Sequence, residues 1–177
     1  MTVTTRIFAV AALLAAALAC GCSADATKGY TTASQFPGDV KTVAVPIWTR
    51  GKDVYRREVE FQLTEALVKR IELNTPYKVT DRSRADTELS GEITKIEQRL
   101  LSKDPDTGLA REMEITFHVS FTWKNLKTGK NIKEFTNFRA SGTYVPLEPL
   151  GEEFFQGGQD VINKIAERIV ETMESDW

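Results

Sequence analysis

The clearest pattern in the chain is a strict alternation of apolar and polar residues from Glu112 to Trp123. Every odd-numbered position in this stretch is apolar and every even-numbered position is polar. Six matches to a period of two predict an antiparallel strand with one buried face. Lys127-Thr128-Gly129-Lys130 then predicts a hairpin turn, because glycine readily takes the positive φ that the turn needs. Ile132 to Tyr144 predicts the returning strand.

Two segments have the three-to-four spacing of apolar residues that is typical of an amphipathic helix. The first runs from Val54 to Leu73, with Asp53 as its expected N-cap and Asn74-Thr75-Pro76 as its end. The second runs from about Glu152 to Glu174, and its Gly157-Gly158 pair either loosens the first turns or lets them pack closely. The apolar stripes are Val59, Leu63, Ala66, Leu67 and Ile71 in the first helix, and Phe154, Val161, Ile165, Ile169 and Met173 in the second.

Three further stretches predict strands. Val40 to Trp48 is β-branched and almost continuously apolar, which favours a strand buried on both faces, with Pro46 at its exit. Tyr77 to Thr80 follows the first helix and is expected to pair in parallel with that strand. Thr87 to Leu100 changes the phase of its apolar positions midway, so we expect a β-bulge near Thr94-Lys95.

Together these elements predict an α+β fold, in which two helices pack on one face of a mixed four- to five-stranded sheet. The order along the chain is β-α-β-β-β-β-α. Hairpin arms of about 14 residues extend for about 50 Å at ~3.4 Å per residue, whereas a helix of about 20 residues covers about 30 Å. The sheet is therefore expected to project beyond the helices at one end as an exposed platform.

The first residues have the composition of an export signal. Arg6 precedes an apolar run from Ile7 to Ala19, which is too short to span a bilayer as a helix and ends at Cys20-Gly21-Cys22. A cysteine at the cleavage point is similar to a bacterial lipoprotein signal, in which the thiol is acylated, for instance with palmitate. Cys20 is the preferred lipidation site because the apolar run ends directly against it, and Cys22 is the alternative. Removal of both cysteines with an ordinary signal peptide remains open.

This signal divides the chain into three parts. Residues 1–19 are predicted to be the lipoprotein signal peptide, residues 20–36 a flexible tether of small and polar residues, and residues 37–177 one α/β domain. The 23 basic and 25 acidic residues give a formal net charge of -2, which provides no general attraction to nucleic acid. The mean hydropathy of -0.29 favours a soluble body tethered to a membrane by its acyl chains.

Side chains that carry chemistry are few, and no set of them predicts catalysis. His118 is the only histidine and lies on the polar side of its strand, so we expect a side chain that faces solvent or a binding partner. No cysteine follows Cys22, which leaves no usual zinc ligand set and no disulfide framework. A nucleophile elbow of the Gly-x-Ser-x-Gly type is absent, and Glu112 with Glu114 is expected to be a solvated strand edge. The sequence predicts no enzyme, no metal site and no cofactor.

Five short segments of the chain are informative through their order and spacing: Gly29-Tyr30, Val40 to Pro46, Leu63 to Leu67, Ala85 to Ile93 and Asn125 to Lys130. Together they resemble the LptE family of lipopolysaccharide-assembly lipoproteins. The family pattern usually places the cysteine directly before Gly-Tyr, whereas several residues here separate Cys22 from Gly29.

The resemblance implies the fold derived above and a role at the outer membrane. Members of the family sit inside or beneath a large outer-membrane β-barrel (LptD-like), help it to assemble, and take part in delivering lipopolysaccharide to the cell surface. It also implies that this chain is lipid-anchored in the outer membrane and faces the periplasm. The physical demands agree, because a plug in a polar barrel lumen needs a polar outer surface and no apolar belt.

Basic residues are the candidates for contact with lipopolysaccharide, because its phosphates and carboxylates suit charge-assisted hydrogen bonds. The preferred group is the set of lysines at the hairpin turn, and a second group precedes the third strand. Ordinary solubilising charges remain the alternative interpretation for each of them. The candidates are Lys124, Lys127 and Lys130 at the turn, and Arg82 and Arg84 before the strand.

A second function remains open from the sequence. The first strand and helix are also similar to the N-terminal domains of TolB-type envelope proteins and of curli-secretion lipoproteins. The chain would then be a periplasm-facing scaffold or pilot lipoprotein of another envelope complex, which binds protein and not lipid. A surface-anchored hydrolase is disfavoured because the catalytic groups are missing.

Overall fold

Six strands and two helices make up the part of the chain that the computed structural model describes, residues 36–146 and 153–174. Their order confirms the predicted succession, with the first strand divided in two. Cys20, Cys22 and most of the predicted tether lie outside the described residues. The elements are β1 Thr42–Ala44, β2 Thr49–Arg50, α1 Val59–Asn74, β3 Lys78–Val79, β4 Thr87–Lys103, β5 Ala110–Asn125, β6 Asn131–Tyr144 and α2 Glu153–Glu171.

The sheet is mixed, as predicted, and its strand order is β3-β1-β4-β5-β6, with β2 also beside β4. β1 pairs in parallel with β3 and with the start of β4, where Val43 lies opposite Thr87. β4, β5 and β6 form an antiparallel meander. The pairing register of β4 with β5 shifts between Ile93 and Lys95, which confirms the predicted bulge. Because β1 and β2 follow each other along the same edge of β4, the six strands occupy five positions.

The predicted first strand, Val40–Trp48, is wrong at its centre, where the chain leaves the sheet between β1 and β2. Pro46 has no backbone N–H to give to a strand ladder. The backbone N–H of Trp48 donates instead to the hydroxyl of Thr64 on α1, at 3.0 Å. The Trp48 side chain is buried as a result, only 2% exposed, and sits under the helical layer.

The predicted start of the first helix at Val54 is also wrong, because α1 begins five residues later, at Val59. Asp53 is not its N-cap. Glu58 occupies that position with a left-handed backbone (φ 73°) and no capping hydrogen bond from its side chain. The segment from Val54 to Glu58 is a loop. The side chain of Val54 is buried there, so the apolar residue at this position reflects packing in the core and not a helical turn.

Arg50 on β2 is the residue that holds this loop. Its guanidinium donates to the carbonyl oxygens of Val54 (3.2 Å) and Arg56 (3.3 Å). It also pairs with the carboxylate of Glu60 on α1, at 2.9 Å. Two of these contacts join the loop to β2 and the third joins β2 to α1, so Arg50 fixes the segment before the helix start.

The core lies between the two helices and one face of the sheet. The predicted inward positions of β5 from Ile115 to Trp123 are buried, and the first, Met113, is half-buried. Gly91 permits the close approach of β4 to the Trp48 indole, because an added Cβ would lie 2.6 Å from that ring. Gly157 permits a similarly close approach of α2 to Tyr144, because an added Cβ would lie 2.7 Å from that side chain. Of the two roles considered for the glycine pair, close packing is the one that Gly157 has.

One end of the β4–β5 hairpin extends past the helices, as the strand lengths predicted. β4 has 17 residues and β5 has 16. On β4, every residue from Glu97 to Lys103 is exposed. This end carries three exposed leucines, Leu100, Leu101 and Leu109.

Candidate functional site

The five basic residues predicted for lipid contact lie at one end of the sheet, where β1 and β4 begin and β5 ends. The backbone N–H of Leu126 donates to the carbonyl oxygen of Asp86 at 2.9 Å, which joins the β5–β6 turn to the segment before β4. In the adjacent strands Lys124 lies opposite Glu88. We call these five residues the loop cluster: Arg82, Arg84, Lys124, Lys127 and Lys130.

The turn that presents the lysines has the predicted conformation. The side-chain amide oxygen of Asn125 accepts hydrogen bonds from the backbone N–H groups of Lys127 and Thr128, both at 2.9 Å. Asparagine favours turns through this kind of bond to the backbone. Gly129 has the expected positive φ, 72°, and its N–H donates to the carbonyl oxygen of Asn125 at 2.9 Å. The turn is therefore determined by local sequence.

Asp86 organises the loop cluster. Its carboxylate accepts hydrogen bonds from the ammonium of Lys127, from the hydroxyl of Thr42 (2.9 Å), and from the backbone N–H groups of Lys41 and Thr42 (both 3.1 Å). These donors, led by Lys127 and then the Thr42 hydroxyl, hold the pKa of the Asp86 carboxyl well below its usual range. Sequence analysis did not single out Asp86. Its place in the Ala85 to Ile93 segment is the signal that marks it.

The two arginines of the loop cluster each have a carboxylate partner. Arg82 pairs with Glu88 at 3.2 Å, and Arg84 pairs with Asp81 at 2.9 Å. Both guanidinium groups are otherwise exposed, with 70% and 73% of the side chain accessible. The Arg84–Asp81 pair is exposed on both sides, and such pairs exchange partners at little cost. The Glu88 carboxylate is only 11% exposed, so loss of Arg82 would leave a largely buried charge without its partner. Arg84 can therefore turn to an anionic ligand without disturbing the fold, whereas Arg82 is held by Glu88.

Lys124 and Lys130 differ from the rest of the loop cluster. Neither makes an ion pair with a residue in the described part of the chain. Lys130 is exposed in the turn, and Lys124 is half-buried on the sheet face that the helices do not cover. These two ammonium groups are the ones that need no rearrangement to bind an anion.

The sheet face opposite the helices, here called the outer face, is polar along β4, β5 and β6. A groove of about 440 Å³ crosses it beside the exposed Ile47. Its lining is mixed: Pro46, Ile47, Phe121 and Phe135 form the apolar part, and hydroxyl groups with two carboxylates form the polar part. These polar residues are Thr49, Ser90, Glu92, Ser120, Thr122, Glu134 and Thr136.

His118 lies on the outer face but is not solvated, since only 14% of its side chain is exposed. Its Nδ1 is 2.8 Å from the amide oxygen of Asn137, and its Nε2 is 3.4 Å from a carboxylate oxygen of Glu97. Lys95 also pairs with Glu97. The histidine is thus a fixed member of a polar network across three strands.

The described residues provide no site for metal chemistry and no membrane-spanning helix. In residues 36–146 and 153–174, no group of three or more His, Cys, Asp or Glu side chains could hold a metal ion. Within those same ranges, neither helix is both long enough and apolar enough to cross a bilayer. Glu114 of the acidic pair on β5 forms an ion pair with Arg99 at 3.1 Å.

Solved structures of bacterial proteins, two of them named as lipoproteins, resemble the chain at low sequence identity. A protein of Xanthomonas campestris is 8% identical over 79% of this chain and 86% of its own, with a TM-score of 0.58, and this likeness supports the fold alone. Rare lipoprotein B of Shewanella oneidensis is 20% identical over 75% of this chain and 93% of its own, with a TM-score of 0.47. Lipoprotein B of Nitrosomonas europaea is 15% identical over 80% and 88%, with a TM-score of 0.49.

A comparison with curated proteins finds no match. The family model described as lipopolysaccharide-assembly (LptE) matches residues 40–176, which include every element of the fold. This match confirms the resemblance carried by the short segments, and it indicates a role in lipopolysaccharide assembly. The chain therefore belongs to the LptE family.

Proposed function

We propose that this chain is an outer-membrane lipoprotein that occupies the lumen of a β-barrel lipopolysaccharide exporter of the LptD type and helps that barrel to assemble. In this role it contributes to the transport of lipopolysaccharide and its insertion at the cell surface. The role requires binding and shape, and no catalytic step. Family membership supports the assignment to lipopolysaccharide assembly. The location in a barrel is our inference.

The observation that carries the barrel location is the polar outer face. A sheet covered on one face by helices commonly leaves the other face to water, and here that face carries hydroxyl and charged side chains over three long strands. The lumen of an outer-membrane barrel is itself polar. A body with this surface can sit against such a wall without burying unpaired charge against apolar groups.

Acylation of Cys20 would hold the protein at the membrane. The predicted tether, residues 20–36, spans at most about 60 Å when fully extended, so the domain stays within a short reach of the bilayer. Phe36, the last residue of that segment, already packs edge-to-face on Tyr77, with ring centroids 5.6 Å apart. Mass spectrometry of the native protein tests this step. Cys20→Ala should abolish acylation and Cys22→Ala should retain it, and the reverse result would move the site to Cys22.

The loop cluster is the proposed contact for lipopolysaccharide phosphates. Lys124→Glu with Lys130→Glu reverses two charges and leaves the Lys127–Asp86 pair intact. We expect this double variant to weaken lipopolysaccharide binding by about tenfold or more, because a hydrogen bond to a charged group contributes roughly 1.5–3 kcal/mol. Lys52→Glu with Lys69→Glu, both exposed and distant in sequence, is the control of equal charge. An equal loss of lipopolysaccharide affinity in both double variants would mean that net charge, and not the loop cluster, determines binding.

Co-purification decides between the proposed role and its alternative. We expect the native lipoprotein, extracted with mild detergent, to bring down a large outer-membrane β-barrel in a one-to-one complex. The alternative, a scaffold or pilot lipoprotein, predicts a soluble or inner-membrane assembly without a barrel and without lipopolysaccharide. Isolation of the protein in such an assembly would reject the barrel role.

A further inference from the structure

β6 is the last strand of the sheet, and two cations of α2 reach its open edge. The ammonium of Lys164 donates to the carbonyl oxygen of Ser141 at 3.0 Å. The guanidinium of Arg168 donates to the carbonyl oxygen of Arg139 at 2.7 Å, and it lies over the ring of Phe138, 4.9 Å from the centroid. Unpaired edge carbonyls invite pairing with another chain, so these contacts protect the edge. They also fix the positions of both cations.

The same cations line a cavity of about 420 Å³ at this edge, together with Arg139. We call Arg139, Lys164 and Arg168 the edge cluster. The hydroxyl-bearing residues Thr116 and Ser141 lie beside them in the cavity wall. The edge cluster is separate from the loop cluster, because Arg139 lies opposite His118 on β5, and the six residue steps from His118 to Lys124 extend for about 20 Å.

The charge of the edge cluster is not neutralised within the described residues. None of its three members has an ion-pair partner there, and the acceptors that two of them use are uncharged carbonyl oxygens. The one carboxylate in the cavity wall, Glu114, pairs with Arg99 at 3.1 Å. A carbonyl dipole orients a cation but does not cancel its charge. Three positive charges therefore converge on one cavity.

Donors remain available for a ligand. Arg168 uses one of its guanidinium N–H groups and Lys164 uses one of its three, which leaves several for further bonds. Because the carbonyl contacts and the Phe138 ring already restrict both side chains, binding a ligand costs little additional side-chain entropy. Arginine and lysine in this arrangement suit an anion with several oxygens more than a single carboxylate.

We propose that the edge cluster is a binding site for a phosphate group, carried by a ligand larger than phosphate itself. Arg139 approaches from the strand, and Lys164 and Arg168 approach from the helix, so that different phosphate oxygens meet different donors. Two sources share this chemistry: the headgroup of an anionic lipid and a soluble phosphate ester or diphosphate. The site does not depend on the barrel role or on the loop cluster.

Calorimetric titration of the full-length lipoprotein in a zwitterionic detergent tests the site. The probes are inorganic diphosphate and dihexanoyl phosphatidic acid, with dihexanoyl phosphatidylcholine as the lipid without net charge. We expect saturable binding of at least one of the two anionic probes and none of the phosphatidylcholine. Tighter binding of the phosphatidic acid indicates a lipid headgroup, and binding of diphosphate alone indicates a soluble phosphate ligand.

Two site variants and two controls make the test specific. Arg139→Gln leaves both edge contacts in place, and it should weaken binding by about tenfold. Arg139→Gln with Lys164→Gln and Arg168→Gln should abolish binding. If that triple variant fails to fold, Arg139→Gln decides. The charge-matched control of the triple variant replaces the exposed residues Lys52, Arg57 and Lys69 with Gln and should stay within about twofold of the parent.

The second control separates this site from the proposed function. The loop cluster is itself proposed to bind phosphate, so the titrations are repeated in the Lys124→Glu with Lys130→Glu variant, in which Arg139→Gln should still weaken binding of the probes by about tenfold. Absence of saturable binding to both anionic probes would overturn the proposal. So would an equal loss of binding in Arg139→Gln and in the variant of Lys52, Arg57 and Lys69.

Discussion

The loop cluster and the edge cluster contain the same residue types, but their charges are used differently. Three of the five cations in the loop cluster pair with carboxylates, and one of these, Lys127, helps to join two connections through Asp86. In the edge cluster two cations donate to backbone carbonyls, and no carboxylate pairs with any of the three among the described residues. An ion pair neutralises the charge of the cation, whereas a contact with a carbonyl oxygen only fixes the position of the cation. The loop cluster is therefore partly structural, and the edge cluster leaves its charge available for a ligand.

The largest effect on this comparison should come from Asp86→Ala. Three N–H or O–H donors from Lys41 and Thr42 and the ammonium of Lys127 lose their acceptor. We expect a loss of about 2 kcal/mol in the free energy of unfolding, measured with urea. Asp81→Ala, which removes only the exposed partner of Arg84, should cost less than about 0.5 kcal/mol. Similar losses in the two variants would mean that Asp86 has no organising role.

Low pH should reproduce part of that loss. The folded-state pKa of Asp86 is lowered, so its contribution to stability is fully present above its ordinary pKa of about 3.9 and is lost as the pH falls from there toward the folded value. We expect the stability difference between the parent and Asp86→Asn to shrink between about pH 4 and pH 2.5. Urea unfolding at four or five pH values measures it. If the stability difference between the parent and Asp86→Asn stays constant over this range, the lowered pKa of Asp86 is not the source of its contribution to stability.

Arg168→Ala should have a smaller effect, because its contacts are less buried. The variant loses the hydrogen bond to the Arg139 carbonyl and the contact with the Phe138 ring. A loss of about 1 kcal/mol is expected in urea unfolding. Lys69→Ala, at the exposed i,i+4 pair on α1, should cost no more than about 0.5 kcal/mol.

Arg168→Ala also uncovers the edge of β6, so we expect this variant to self-associate more than the parent in sedimentation velocity experiments. A variant that stays monomeric would argue against a role of Arg168 in protecting the edge.

The smallest effect should come from Lys130→Gln. Lys130 is exposed and makes no ion pair among the described residues, so the free energy of unfolding should change by less than about 0.5 kcal/mol. Any consequence should be confined to lipopolysaccharide binding. A large loss in the free energy of unfolding would mean that Lys130, like Lys127, has a structural role.

Sequence patterns predicted the central hairpin and the fold class well because the information is local. The alternation along β5 requires only that one face be buried, and the Asn125 to Lys130 turn is held by its own backbone and side chain. The bulge near Thr94-Lys95 followed from a change of phase within one strand. Each of these signals lies within about a dozen residues of chain.

The errors in the fold arose where specific side-chain hydrogen bonds override the structure that the hydrophobic pattern favours. The apolar spacing from Val54 onward favours helix, but Arg50 holds that segment as a loop through its carbonyls. Val40 to Trp48 has the composition of one strand, but Pro46 and the hydrogen bond from Trp48 to Thr64 divide it. A pattern of hydrophobic residues records burial, and burial in a loop looks the same as burial in a helix or strand.

For the candidate sites, the sequence by itself determined which residue types are present, and only the tertiary structure decided what each can do. Composition and family segments indicated Lys124, Lys127 and Lys130 as basic candidates, but the partner of Lys127 lies 41 residues away. The edge cluster joins a strand residue to two helix residues, and the bond from Arg168 to the Arg139 carbonyl spans 29 residues. Whether a cation is neutralised depends on which acceptor comes within hydrogen-bond distance of it. For Lys127 that acceptor is set by the pairing of β5 with β4, and for Arg168 it is set by the packing of α2 on the sheet.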